Sequence, residues 1–338
     1  MIIRAVARRL RLVGPIACSI AIAGCGGGQS TLAPKSKPAH DISTLWWWML
    51  AVASIVFLGA VFMITMAWLR RKREGLPYLG RRENVANGLV VVFGLVVPVL
   101  VLAVVFVVAN LVVTKDTDAP AAGSTAMTIR VIGHQWFWEV RYPGTPAVTA
   151  NEIHIPVRTR VNTLVNTADV IHSFWVPELN RKIDMIPGQT GSILLYADRP
   201  GVFRGQCAEF CGVQHANMAM KVIAEPAPAF RTWVANQSRP GAAPATASQR
   251  LGRQTFLTTA CSDCHTLRGT AARGVIGPDL THLMSRSTLA ALTIPNRRDE
   301  LERWILDPQH VKPGNRMPGL KLGAAETRDL VDFLESLK

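Results

Sequence analysis

Cys207 and Cys211 lie in the run Gly205-Gln206-Cys207-Ala208-Glu209-Phe210-Cys211-Gly212-Val213-Gln214-His215-Ala216-Asn217-Met218. Residues 207–218 thus gather two thiols, an imidazole and a thioether, with a carboxylate between the thiols. Thiolate and thioether are soft ligands suited to copper, and imidazole suits copper as well. Two thiolates on one tight loop can each bridge a pair of metal ions, leaving His215 and Met218 as end ligands. A bridged pair needs one more strong ligand, and His172 in Asp169-Val170-Ile171-His172-Ser173-Phe174 is the best placed. The set reads as a binuclear copper centre for electron transfer. A disulfide is the alternative in an oxidising compartment, although this spacing on one loop spans poorly. Closed zinc ligation by the two thiols, His172 and His215 is also possible, with softness favouring copper.

A second chemical signal is Cys261-Ser262-Asp263-Cys264-His265. C-x-x-C-H is the attachment pattern of c-type haem, in which two thiols form thioether links to the vinyls and the imidazole binds iron. A low-spin haem closed on both faces requires a sixth ligand, and Met284, Met317, His282 and His310 are available. Met317 is preferred because Pro313-Gly314-Asn315-Arg316-Met317-Pro318-Gly319 holds the chain off a helix, whereas Met284 lies in a stretch with helical character.

The 338 residues carry a net charge of +14, which raises the question of nucleic acid. The charge is concentrated beside hydrophobic runs instead. Arg4, Arg8, Arg9 and Arg11 precede a short apolar core, so residues 1–24 read as a secretory signal. It ends in Ile22-Ala23-Gly24-Cys25, which is similar to the lipobox of bacterial lipoproteins and makes Cys25 the expected lipidated N-terminus. Residues 45–69 and 85–113 each exceed the ~20 apolar residues needed to span a bilayer. Between them, Arg70, Arg71, Lys72, Arg73, Arg81 and Arg82 outnumber Glu74 and Glu83, which places that loop in the cytoplasm. Residues 25–113 therefore form an anchored N-terminal segment and a membrane hairpin, with everything after residue 113 facing outward. The partner implied by charge is a lipid bilayer, not nucleic acid.

Residues 114–235 show short alternating runs, Met127–Ile132, Glu152–Ile155 and Ser192–Tyr196, separated by Gly and Pro. That pattern predicts a β-sandwich or barrel. Residues 236–249 have linker composition. In the last segment, 250–338, Leu330, Phe333, Leu334 and Leu337 form a helical stripe read as core.

The copper loop, Gly133-His134-Gln135-Trp136-Phe137-Trp138, Asp169–Phe174 and Asp184-Met185-Ile186-Pro187-Gly188 together resemble cytochrome c oxidase subunit II in order and spacing. With the haem motif, the chain resembles the caa-type form, in which a cytochrome c domain is fused behind the CuA domain. The resemblance implies a multidomain membrane protein: a two-helix transmembrane hairpin, an all-β cupredoxin-like domain and an all-α monohaem cytochrome c domain. It implies that His172, Cys207, Cys211, His215, Met218 and the Glu209 carbonyl ligate CuA. The Glu209 side chain would reach a magnesium shared with subunit I, and Trp136 would admit electrons. Gly277-Pro278-Asp279-Leu280 matches the monohaem pattern, implying that the Pro278 carbonyl orients His265. Implied partners are oxidase subunit I, subunit III and a soluble or membrane cytochrome or other respiratory donor. The implied location is the bacterial plasma membrane, with both domains outside.

Three positions depart from the family pattern. Val91 stands where many members carry a glutamate feeding a proton path, Phe137 replaces a tyrosine, and Ala168 replaces one of two docking acids. A tethered haem reduces the need for an acidic docking patch. The other functions compatible with these residues are the CuA subunit of a nitrogen-oxide reductase and a membrane-tethered electron carrier without an oxidase partner.

Overall fold

The computed structural model describes residues 28–70 and 83–338; the expected signal segment 1–24, Cys25 and most of the basic loop lie outside the described residues. Helix α1 (Lys37–Arg70) begins earlier than its apolar run because Ser36 caps it. The Ser36 hydroxyl accepts the Ala39 N–H at 3.1 Å and donates to the Leu179 carbonyl of the outer domain. Ser36, Ala39 and Ser43 are buried, and beyond them the helix exposes Trp46, Trp47, Trp48 and a long apolar surface.

The second span is assembled from α2 (Glu83–Val91), α3 (Val97–Val108) and α4 (Thr114–Thr117), joined by π-helical turns at Val92–Val96 and Ala109–Val113. Pro98 sits in the first turn of α3, directly after the first π turn. The Val97 N–H reaches back to Val92 O, so the widened turn accommodates the proline's missing donor without breaking the helix. The windows Lys37–Leu69 and Asn87–Leu111 are both long and apolar enough to span a bilayer.

The outer domain is a two-layer β-sandwich. One sheet has the order β3-β2-β1-β5-β8, made of β1 (Met127–His134), β2 (Phe137–Arg141), β3 (Val148–Ala150), β5 (Val161–Thr167) and β8 (Gly191–Leu195). The other runs β4-β10-β9-β6-β7, made of β4 (Glu152–Pro156), β6 (His172–Trp175), β7 (Ile183–Met185), β9 (Gly201–Cys207) and β10 (Ala219–Glu225). β1 pairs parallel with β5 and β10 with β4; the other neighbours are antiparallel. Ile129, Val131, Trp138, Ile153, Phe174 and Ile193 fill the space between the layers.

The alternation of β4 suggests one wet face, yet every residue of the strand is buried. Its polar side is covered from outside: the His154 ring stacks on Trp233 at 3.9 Å, and Glu152 accepts the Ser287 N–H at 2.9 Å. Trp233 belongs to α5 (Ala227–Gln237), and Ser287 to the C-terminal domain.

That domain contains α6 (Ala247–Thr258), α7 (Cys261–Cys264), α8 (Arg298–Leu306), α9 (Pro308–Val311) and α10 (Ala324–Glu335). Thr246 and Gln249 form a capping box that starts α6. Helices α6 and α10 touch backbone to backbone at Gly252, where a Cβ would lie 1.9 Å from Asp329 O. Leu330, Phe333, Leu334 and Leu337 are buried beside Phe256, so the stripe read from sequence is core.

The segment with linker composition is helical at both ends and bonded between them. Gly241 N–H donates to Arg268 O, and Arg268 donates to the Pro146 carbonyl at 2.7 Å. Composition alone carries no information about these long-range partners.

Glu152 is charged at this seam. Burial pushes its carboxyl up, but His154, Lys221 and the Ser287 amide outweigh burial and hold it at about 2, against an ordinary 4.5. A depressed folded value contributes stability that is fully present above the unfolded value and lost as pH falls through the folded one. Glu152→Gln should therefore cost on the order of 2 kcal/mol near neutrality. Denaturant midpoints of both proteins should converge as pH falls from 4.5 towards 2; a pH-independent gap would contradict this assignment.

Candidate metal and haem sites

Cys207 ends β9, Met218 immediately precedes β10, and the intervening loop is closed by Cys207 N–H donating to Met218 O at 3.0 Å. His172 opens β6, and Phe174 and Trp175 pair with the end of β9. The antiparallel ladder thus carries His172 to the two thiols from a distant part of the chain. Glycine makes room for it: a Cβ on Gly133 would lie 2.8 Å from His172 Cδ2, and one on Gly205 would lie 2.6 Å from Trp175 O.

The two Sγ atoms are 3.8 Å apart. His172 Nδ1 is 3.8 Å from Cys207 Sγ, and the Glu209 carbonyl is 3.2 Å from the same sulfur. His215 Nδ1 and Met218 Sδ both lie 3.7 Å from Cys211 Sγ. With metal–thiolate bonds of about 2.3 Å and metal–imidazole bonds of about 2.0–2.1 Å, these separations allow shared ligation. His172, Cys207 and Cys211 are buried and place their ligand atoms within 4.8 Å of one another. The donor set fits a copper pair, and this geometry brings together all six ligands inferred from sequence.

The electrostatics favour deprotonation of one of the two thiols. The hydrogen bond from Cys211 draws the Cys207 thiol well below its ordinary value despite burial, with His172 contributing further. Cys211, beside that thiolate, is held up as a thiol. Burial alone would lower the His172 value, but Asp169 and Cys207 raise it. Asp169 accepts from His172 Nε2 at 2.8 Å, fixing the ring with Nδ1 towards the sulfur.

Trp136 donates its indole N–H to the Cys211 carbonyl at 3.0 Å, and Gln135 Nε2 donates to the same oxygen at 2.8 Å. The same tryptophan also lines a large apolar cavity of the C-terminal domain. Cys261, Cys264, His265 and Met317 share that cavity, while Met284 does not line it and packs against the domain core. His282 is occupied elsewhere, its ring nitrogens lying 2.7 and 2.9 Å from the Lys338 and Arg239 carbonyls.

The cavity fits a haem. His265 Nδ1 lies 2.8 Å from Pro278 O, which leaves Nε2 for iron; burial, only partly opposed by that carbonyl, lowers its pKa and keeps the ring neutral. A Cβ on Gly277 would lie 2.4 Å from the His265 ring, so glycine is required beside it. Arg286 lines the cavity, is 7% exposed, and its Nε has no hydrogen-bond partner. An anionic haem substituent would satisfy that donor. Sequence reading missed Arg286, because an arginine in a Ser/Thr-rich stretch looks like surface until the fold buries it.

The chain matches the family described as cytochrome c oxidase subunit II, periplasmic domain, over residues 146–225 and the cytochrome c family over residues 249–338. It is 34% identical over 328 residues to cytochrome c oxidase subunit 2 of Alkalihalophilus pseudofirmus, covering 94% of both chains. With the Bacillus subtilis protein of the same name it shares 28% identity over 340 residues, again covering 94% of both. The periplasmic domain of subunit II of cytochrome oxidase of Bradyrhizobium japonicum, a solved structure, is 32% identical, covering 33% of this chain and 94% of that one, with a TM-score of 0.33.

Fold and sites together define a membrane protein that joins a cupredoxin-like domain to a cytochrome c domain outside the bilayer. The chain belongs to the cytochrome c oxidase subunit 2 family. It is an electron-transfer subunit of a haem-copper oxidase, an oxidoreductase, and its two domains imply CuA copper and haem c.

Met317→Ala should leave haem attached through Cys261 and Cys264 but open its sixth position, giving high-spin iron that binds carbon monoxide. Met284→Ala should leave the low-spin spectrum intact. Visible spectra with and without carbon monoxide decide between the two, and the reverse pattern would transfer the axial role to Met284.

Proposed function

We propose that this subunit passes electrons from haem c through Trp136 to CuA, and from there to subunit I, where oxygen is reduced to water. The observation that carries this reading is the double placement of Trp136, hydrogen-bonded to Cys211 and facing the haem cavity. A copper pair held by these thiolates would supply one-electron transfer with little bond rearrangement.

The residues of the chain have distinct tasks in this scheme. Cys207, Cys211, His172, His215, Met218 and the Glu209 carbonyl hold the copper pair. Cys261, Cys264, His265 and Met317 hold the haem, and Pro278 fixes the His265 ring. Asp169 holds the His172 ring, and Gln135 shares the Cys211 carbonyl with Trp136. The half-buried Glu209, beside the exposed Phe210, would supply its side chain to a magnesium shared with subunit I. Subunit III and a respiratory cytochrome donor complete the set of partners.

The proposed location is the bacterial plasma membrane, with both domains on the outer side and Cys25 lipidated after removal of residues 1–24. The exposed apolar helices support the anchoring. The proton path associated with the family's glutamate is not assigned to this subunit, because its place is taken by Val91.

In oxidase purified from native membranes, Cys207→Ser and Cys211→Ser should abolish the paired-copper EPR signal while leaving haem attached. Trp136→Leu should retain both centres and slow haem-to-copper transfer by about a hundredfold. A normal paired-copper signal in the double cysteine variant would overturn the site. An active oxidase that consumes nitrogen oxides but not oxygen would support the reductase alternative instead.

Mass spectrometry should find mature protein beginning at a diacylglyceryl-modified Cys25. A reporter within residues 74–80 should be cytoplasmic and one at the C-terminus external. Recovery of intact Met1 or unmodified Cys25 in the assembled enzyme would remove the lipoprotein assignment.

A further inference from the structure

Lys312 is 2% exposed, although an ammonium is among the most costly groups to bury. No carboxylate pairs with it among the described residues. Its Nζ instead donates to three backbone carbonyls: Asn217 O at 2.8 Å, Trp136 O at 3.0 Å and Ala290 O at 3.2 Å. Burial lowers the Lys312 pKa to about 7; in its protonated form the group has three donors, and these three acceptors match them. Two belong to the copper domain, one preceding Met218 and the other on the tryptophan between the centres. The third lies in the haem domain.

Ala290 opens a run in which Ala290, Ala291 and Leu292 have φ of 52, 59 and 66°. Consecutive left-handed residues with side chains are disfavoured, so such a turn persists where its surroundings hold it. Ala290 and Ala291 line the haem cavity, and Lys312 ties their turn to the opposite domain. Neighbouring residues follow the same seam. Gln214 Nε2 donates to Pro313 O at 2.5 Å, and the Arg316 guanidinium donates to Gln135 Oε1. Residues 312–316 thus bridge the two domains and lead directly into Met317.

We propose that Lys312 is a positioning residue: its three backbone hydrogen bonds hold the haem domain docked over Trp136 and fix the gap that an electron crosses. This deepens the functional reading and rests on it. In the step concerned, one ferrous haem loses one electron and one CuA pair gains it, with no bond made and no proton required. Lys312 lines the edge of the haem cavity, and it acts on the gap through the backbone of Trp136 and Asn217. The bridge also couples docking to the loop that presents Met317, so release of the ammonium would loosen both together.

The test uses the complete purified oxidase carrying Lys312→Met, which keeps length and removes donors. Hydrogen–deuterium exchange should rise in peptides covering 135–137 and 290–292 and stay unchanged in α6 and α10. After photoreduction of haem c, transfer to CuA should slow by about tenfold or more, while the paired-copper EPR signal and haem attachment persist. Lys312→Arg, which keeps the charge and donors, should restore part of both effects. Where Lys312→Met does not assemble, Lys312→Gln is read by the same two measurements. Unchanged exchange and transfer in the assembled variant would overturn the proposal. Loss of exchange protection across the whole haem domain would also overturn it, by reducing Lys312 to a general stability residue. Absence of paired copper from the wild-type enzyme would sink the functional reading, and the exchange result would still judge Lys312 as a docking clamp.

Discussion

Two sulfur atoms held 3.8 Å apart in a buried loop set the constraint to which the outer domain answers. Thiolates so close repel one another, and only cations between them or protons upon them make the arrangement tolerable. The protein holds the loop through contacts of its own. Its ends are anchored on two adjacent strands, and the carbonyl of its second cysteine accepts from both Gln135 and Trp136. The imidazole facing the first cysteine is aimed by a carboxylate on its far side. Such preorganisation would limit ligand movement between oxidation states of a bound metal pair.

The haem domain meets a similar demand with less machinery. A backbone carbonyl aims His265, a glycine leaves space against the ring, and the cavity wall facing the copper domain includes Trp136. One aromatic residue therefore belongs to both environments. The domain border is correspondingly polar and specific, with Glu152, Lys221, Arg268 and Lys312 making charged or charge-assisted contacts across it or beside it. Partly buried contacts of this kind define a registry between domains more sharply than an apolar seam would.

Much of this was legible in the sequence because the chemistry is local. The copper loop supplies five of its six inferred donors within residues 207–218, and the haem attachment motif is contiguous. His172 was readable from its motif, and the strands at 127, 152 and 192 from their alternation. What escaped depends on contacts distant along the chain. Lys312 looks like one more surface lysine, and nothing near it in sequence announces acceptors at Trp136, Asn217 and Ala290. Arg286 is hidden for the same reason. The start of α1 was missed because its cap, Ser36, is completed by Leu179. Residues 236–249 read as a linker because composition reports what a segment lacks in apolar groups, and not which carbonyls await its amides.

The membrane hairpin is fastened to the outer domain at one corner. Lys35 N–H donates to Glu178 O, Ser36 donates to Leu179 O, and Arg181 donates to Thr117 O at 3.0 Å while reaching Asp118. The outer ends of both spans therefore meet within a few residues of chain, and Asn180 beside them is pinned to the sandwich through Leu194 O at 2.8 Å. The corner works as a gauge block between lipid and metal. With the outer ends fixed, a thicker or thinner bilayer is accommodated by tilt or by adjustment at the opposite leaflet. The sulfur loop keeps its altitude above the hydrocarbon, and a copper pair held there would keep a constant distance from the membrane below.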